Sequence, residues 1–261
     1  MTQENSKTEI SEKKNTELAV ASAFMDDANS GLENITSEDL TIPRLKILQA
    51  LSPEVNKRDG KYVDGASAGD VINTVTSKLY SEDNELVVLP VSYKRLFLEW
   101  QPRESGGGLI AQHEDQGILS KTTKNQIGQD VLENGNYIQT SANHFVLVLN
   151  SDGSYDQAMI PMAGTQLKKS RTWNSVMASI KLRSGDKVFT PPSFSHKYNM
   201  KTVQESNDRG TWFGWNISNL GPLSEDEMFY YEAAKDFAAT VGDINLSNTG
   251  GSESTTEDAP F

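Results

Sequence analysis

The chain has 261 residues and a formal net charge of −12, which suits one large soluble domain or two small ones with polar additions. It contains no cysteine, so disulfides, thiolate metal sites and a cysteine nucleophile are excluded. No apolar run reaches the roughly 18 to 20 residues of a membrane span, and the amino-terminal MTQENSKTEISEKKNTE has no secretory apolar stretch, so no membrane partner and a cytoplasmic location are expected.

The acidity is unevenly placed. Residues 1–40 hold three Lys and nine acids, and residues 224–261 hold one Lys and nine acids. Residues 41–223 hold 20 basic and 18 acidic residues, so a mildly basic body lies between two acidic ends.

Residues 1–40 are rich in Ser, Thr, Asn, Glu and Lys and offer little to bury, which predicts a disordered amino-terminal arm. The domain is expected over 41–241. Its first segment, Thr41 to Leu51, suits the start of a short helix after Pro43 or an extended docking segment. Ser52 to Gly69 reads as turn-rich surface loop, with Asp59-Gly60 and Asp64-Gly65 as punctuation.

Val71 to Thr76 and the long run Glu85 to Trp100 are β-branched and aromatic enough to be strands, with Pro90 at a bend or edge. Beyond Pro90, alternation puts Val91, Tyr93, Arg95, Phe97 and Glu99 on one face. Tyr93, Arg95 and Trp100 are candidate nucleic-acid contacts. Residues 101–136 show little periodicity and read as a long excursion. Tyr137 to Asn150 and Tyr155 to Ala163 flank Ser151-Asp152-Gly153-Ser154 and predict an antiparallel hairpin.

Gly164 to about Arg183 reads as a helix, with Trp173, Val176, Met177 and Ile180 as its apolar stripe, Thr165 as N-cap and Ser184-Gly185-Asp186 as its close. A second hairpin, Ser195 to Ser206 with Thr211 to Asn219, turns at 207–210. Its Trp212 and Trp215 lie on opposite faces, so at most one is deep core and both are candidate stacking rings. Leu223 to Thr240 reads as a helix opened by a Ser224/Glu227 capping box, packing through Met228, Tyr231, Ala234 or Lys235, and Ala238. Residues 242–261 read as a disordered acidic tail.

The order from residue 85 is long strand, excursion, two strands, helix, two strands, helix. This is the order of an OB-fold-like five-stranded barrel with an inserted helix, a mainly β (α+β) class, although an α+β sheet of other topology fits almost as well.

Gly164 to Lys201 carries eight basic residues against one acid, Asp186. Of these, Lys168, Lys169, Arg171, Lys181, Arg183, Lys187 and Lys197 are candidate phosphate contacts. Tyr198 is interleaved with them as a stacking ring. A solvated basic helix over a core Trp173 is the plainer alternative.

Catalytic patterns are thin. Gly106-Gly107-Gly108 lacks the Lys-Ser or Lys-Thr of a phosphate loop, no G-x-S-x-G elbow occurs, and His113, His144 and His196 have no metal-ligand spacing. His113-Glu114-Asp115 would need a remote carboxylate to hold a divalent ion. No enzyme, cofactor or metal is expected.

The chain ends in Glu257-Asp258-Ala259-Pro260-Phe261, and here it resembles the single-stranded-DNA-binding proteins of bacteria and bacteriophages, whose acidic tails close on an aromatic residue. Residues 41–240 also resemble phage proteins assigned to DNA replication. The resemblance implies an OB-fold body that coats single strands during replication, recombination and repair. It also implies a tail, Glu257, Asp258, Pro260 and Phe261, that recruits replication or repair proteins, in the host cytoplasm if phage-encoded. A homo-oligomer is compatible with it. A phage recombination or annealing protein is the second reading, and a metal-dependent nuclease the third.

Overall fold

The computed structural model describes residues 24–25, 27–28, 30–36, 39–81, 86–208 and 210–241. The described residues divide into two units, one before Thr41 and one from Thr41 onward. In the first, the Thr36 amide and hydroxyl both donate to Asp39 Oδ2, at 2.9 and 2.8 Å, and close a short turn. The expected tail over 242–261 lies outside the described residues, as does most of the expected amino-terminal arm.

The second unit opens with a small antiparallel sheet of β1 (Leu45–Ile47), β2 (Val71–Asn73) and β3 (Leu79–Tyr80). The segment after Pro43 is therefore extended rather than helical. Next come β4 (Leu86–Trp100), the short strands β5 (Leu109–His113), β6 (Thr122–Lys124) and β7 (Asp130–Leu132), then β8 (Tyr137–Leu149) and β9 (Tyr155–Ala163). Helix α1 (Gln166–Ser179) leads into a two-stranded ribbon, β10 (Leu182–Ser184) and β11 (Lys187–Phe189). The chain closes with β12 (His196–Asn207), β13 (Gly210–Pro222) and helix α2 (Met228–Val241).

The main sheet is antiparallel and curled, and it has eight strands rather than five. Its order is β13-β12-β4-β8-β7-β6, with β5 added to β4 and β9 added to β8. The excursion over 101–136 is thus not without structure: β5 pairs with the end of β4, β7 with the start of β8, and β6 with β7. Both expected hairpins form, with Leu149 opposite Tyr155 and Asn207 opposite Gly210.

Both faces of this sheet are covered, which explains why β8 is buried without interruption from Ser141 to Val148. Val146 and Val148 face a core shared with Trp173 of α1, Tyr198, Trp215 and Leu45 of β1. Phe145 and Leu147 face the other way, onto Tyr230, Ala234, Phe237 and Val241 of α2. Residues 230, 234, 237 and 241 follow helical spacing, so the packed stripe of α2 is offset from the expected one, and Met228 is exposed. Burying a ring such as Phe237 stabilises by about 1.5–3 kcal/mol. The capping box is present: the Ser224 amide donates to Glu227 Oε2 at 2.9 Å.

Strand β4 changes face at Pro90, which has no amide to give a ladder. The register slips between Pro90 and Ser92, making Val91 a bulged extra residue. Val91 therefore packs on the α2 side with Leu89, while Tyr93 packs on the α1 side. Simple alternation places Val91 with Tyr93; the bulge separates them.

Among the described residues no ladder joins β9 to β13, and the gap between them is stapled by other means. The Met159 amide of β9 donates to Pro43 O at 2.8 Å. On the far side Gln49 pairs with the Phe213 backbone of β13, and Gln166 Oε1 accepts from the Trp215 amide at 3.1 Å.

Candidate nucleic-acid interface

Helix α1 lies against the sheet through Leu167, Ser170, Trp173 and Met177. This stripe is rotated from the expected one, leaving Val176 exposed. Thr165 makes no side-chain cap, and the helix ends at Ser179, before the residues that form the ribbon. Ser184-Gly185-Asp186 serves as the ribbon's turn, with Gly185 at φ +58°.

Beneath α1 sits His144 of β8, fully buried. Its Nε2 is 2.8 Å from Ser170 Oγ, and its ring stacks on Trp173 at 4.5 Å. Burial lowers its pKa to about 3, so the ring is neutral near pH 7 and acts as a rigid support.

Above this support the fold brings together residues from three separate stretches. Tyr93 and Arg95 of β4, Thr140 and Ala142 of β8, and Leu167, Ser170 and Arg171 of α1 line one open recess. The ladder explains the placement, because Tyr93 pairs with His144 and Arg95 with Ala142. Arg95 Nε donates to Tyr93 Oη at 3.3 Å, and Arg171 Nε donates to Leu167 O at 3.2 Å. Neither guanidinium pairs with a carboxylate among the described residues.

The ribbon continues the cationic flank. All of residues 181–190 are exposed, including Lys181, Arg183 and Lys187. Val188 is 58% exposed and Phe189 44%, so the ribbon offers apolar surface between its charges. Lys181 Nζ donates to Ala178 O at 3.1 Å and to Thr190 Oγ1. Lys168, Arg171, Lys181, Arg183 and Lys187 form no ion pair among the described residues.

Other candidate residues are placed differently. Lys169 is paired with Glu205 at 2.6 Å, and Lys197 with Glu227 at 2.5 Å, so both cations are already partnered. Trp215, Tyr198 and Trp100 are buried, and as core rings they present no open face for stacking. Burial also raises the Tyr198 phenol pKa. Trp212 is the tryptophan of its pair that lies off the core: it is half-buried, and its Nε1 donates to Glu205 Oε2 at 3.1 Å. Glu257, Asp258, Pro260 and Phe261 lie outside the described residues.

Four contributors escaped sequence reasoning. Ser170 and Thr140 are small hydroxyls whose role depends on which strand the helix crosses. His144 left a trace, as a polar residue at an inward position of the apolar strand 137–150. Glu205, which holds both Lys169 and Trp212, had no local signature.

Elsewhere, His113 Nε2 lies 2.9 Å from Glu99 Oε2. The Asn136 amide at 2.6 Å outweighs burial, and with His113 and Asn134 it holds the Glu99 carboxyl below its usual range. Asp115 accepts from the Gly117 amide at 2.8 Å as a turn cap. Among the described residues no cluster of His, Asp and Glu has metal-binding geometry, and no helix is long and apolar enough to cross a membrane.

The fold and this flank define a mainly β protein that presents cations on a helix and a projecting ribbon. The chain belongs to the Pam3 phage gp34-like protein family, whose sequence pattern matches residues 12–246. No curated protein and no solved structure matches it.

Proposed function

We propose that the protein binds single-stranded DNA without sequence preference, as a non-catalytic coat during phage replication or recombination. One observation carries the reading. In a chain of net charge −12, five cations of residues 168–187 are exposed and form no ion pair among the described residues, on a helix and its adjoining ribbon. Such cations release counterions from a phosphate backbone, and exposed rings beside them stack on bases of any identity. Phe189 and Trp212 are the rings placed to do so.

The strand order supports an OB-like frame for this task. Taken alone, the five long strands run β13-β12-β4-β8-β9, with α1 between the third and fourth in chain order. We read this order as a partly open Greek-key arrangement of the OB kind, with the segment 43–49 in the place of a β9-to-β13 ladder that would close the barrel. The acidic end, through Pro260 and Phe261, recruits replication or repair proteins and competes with DNA for the cationic flank.

Tryptophan fluorescence on adding oligo-dT at two salt concentrations tests the reading. Quenching that weakens as salt rises is the expected result. No change in fluorescence or anisotropy would contradict it, and magnesium-dependent loss of the strand would replace it with a nuclease.

A further inference from the structure

We infer that the recess between the β4–β8 ladder and α1 is a seat for one unstacked nucleotide, the base lying between Tyr93 and Leu167 and its phosphates meeting Arg95 and Arg171. The inference rests on the strand-binding reading and adds where along the molecule the strand is gripped.

Size sets the occupant. The recess holds about 170 Å³, well below the roughly 300–1,000 Å³ of sites for drug-sized ligands. One base fits that scale, and a dinucleotide does not. The lining has the chemistry of a base seat: an aromatic ring from Tyr93, apolar surface from Leu167 and Ala142, and hydroxyls from Thr140 and Ser170 for the base edge. Arg95 and Arg171 reach it from different elements, and neither is neutralised by a carboxylate among the described residues. Glu205, an acid near α1, is already engaged by Lys169 and Trp212.

The seat is also preformed. Tyr93 packs 5.0 Å from the His144 ring, which is itself clamped by Trp173. The Ser170 hydroxyl is held 2.8 Å from His144 Nε2. The His144 contact takes up one of that hydroxyl's hydrogen-bonding roles in either tautomer of the neutral ring, so Ser170 keeps further capacity toward a ligand. Little ordering is left to do when a base arrives, which favours affinity.

The test uses the full chain and oligo-dT carrying a single 5-iododeoxyuridine, irradiated and mapped by mass spectrometry, with dTMP as the free-nucleotide control. The expected result is a crosslink at Tyr93. Arg95→Gln, an exposed substitution that leaves the core untouched, is expected to weaken oligo-dT binding by roughly fivefold to tenfold and to lower the crosslink yield. Crosslinks confined to Trp212 or Phe189, with strand affinity intact, would overturn the seat while leaving strand binding standing. Failure of the chain to bind oligo-dT at all would overturn both. Micromolar binding of dTMP that protects Tyr93 would reassign the recess to a free nucleotide and overturn its place on a strand.

Discussion

Gln49 and Phe213 stand 164 residues apart and pair as if Gln49 were a strand: Oε1 accepts from the Phe213 amide at 2.8 Å, and Nε2 donates to its carbonyl at 3.0 Å. Both outward backbone groups at this point of an edge strand are satisfied by one side chain. Gln166 does the same for the Trp215 amide. Together they blunt an edge that carries no charged side chain from Gly210 to Pro222.

Replacing Gln49 with Leu is therefore expected to lower stability by about 1–3 kcal/mol, the cost of leaving half-buried backbone groups unpaired. It is also expected to increase self-association, because the freed edge can pair with another chain. Urea unfolding and light scattering read the two effects. Unchanged midpoints with unchanged mass would show that the pairing is incidental.

Burial of His144 ties stability to pH. Its folded pKa lies near 3, below the ordinary 6.5, so the unfolded chain takes up the proton first as pH falls. Stability is full above about 6.5 and declines as pH drops toward 3, by up to about 1.4 kcal/mol per pH unit from this group. The rings around it, Tyr93 and Trp173, and the Ser170 hydroxyl carry no charge to offset the loss. His196 is lowered by burial too and adds in the same direction. Between pH 7 and 5, His144→Gln is expected to flatten the decline in urea midpoint. An equal decline in both proteins would assign it elsewhere.

The long strands, both hairpins and the Ser224/Glu227 cap were legible because each is written locally, in alternation, in a turn signal or in a spacing of three. What was not legible depends on contacts between distant residues. Val91 becomes a bulge only because β8 continues its register past Pro90. Strands β5 to β7 are too short to show a period; β5 and β7 form on edges that β4 and β8 offer, and β6 forms on β7. The cationic character of 164–201 was visible in sequence. The pairing of Lys169 with Glu205 and Lys197 with Glu227 was not, since either acid lies 30 or more residues away. The convergence of Tyr93, Arg95 and Arg171 on one recess needed the fold.

Glu205 restrains the flank by neutralising Lys169 and tethering Trp212. Glu205→Gln is expected to raise single-strand affinity and to steepen its salt dependence by about 0.7 in log–log slope, as one more cation meets phosphate. A slope equal to wild type would place Lys169 off the DNA path.

Residues 250–261 include Glu253, Glu257 and Asp258. Deleting them is expected to raise strand affinity modestly at low salt, with the gain fading as salt screens the competition. Weaker binding after deletion would show that this end assists DNA binding instead.

The most direct measurement is the salt dependence of oligo-dT binding by the wild-type chain and by a Lys168→Ala, Arg171→Ala, Arg183→Ala, Lys187→Ala variant, all four positions being exposed and without an ion pair among the described residues. If this flank carries the strand, affinity falls roughly uniformly across base sequences, and the log–log slope flattens by about 0.7 for each phosphate contact removed. A variant that binds with the affinity and slope of wild type would contradict the account and place the strand on another surface.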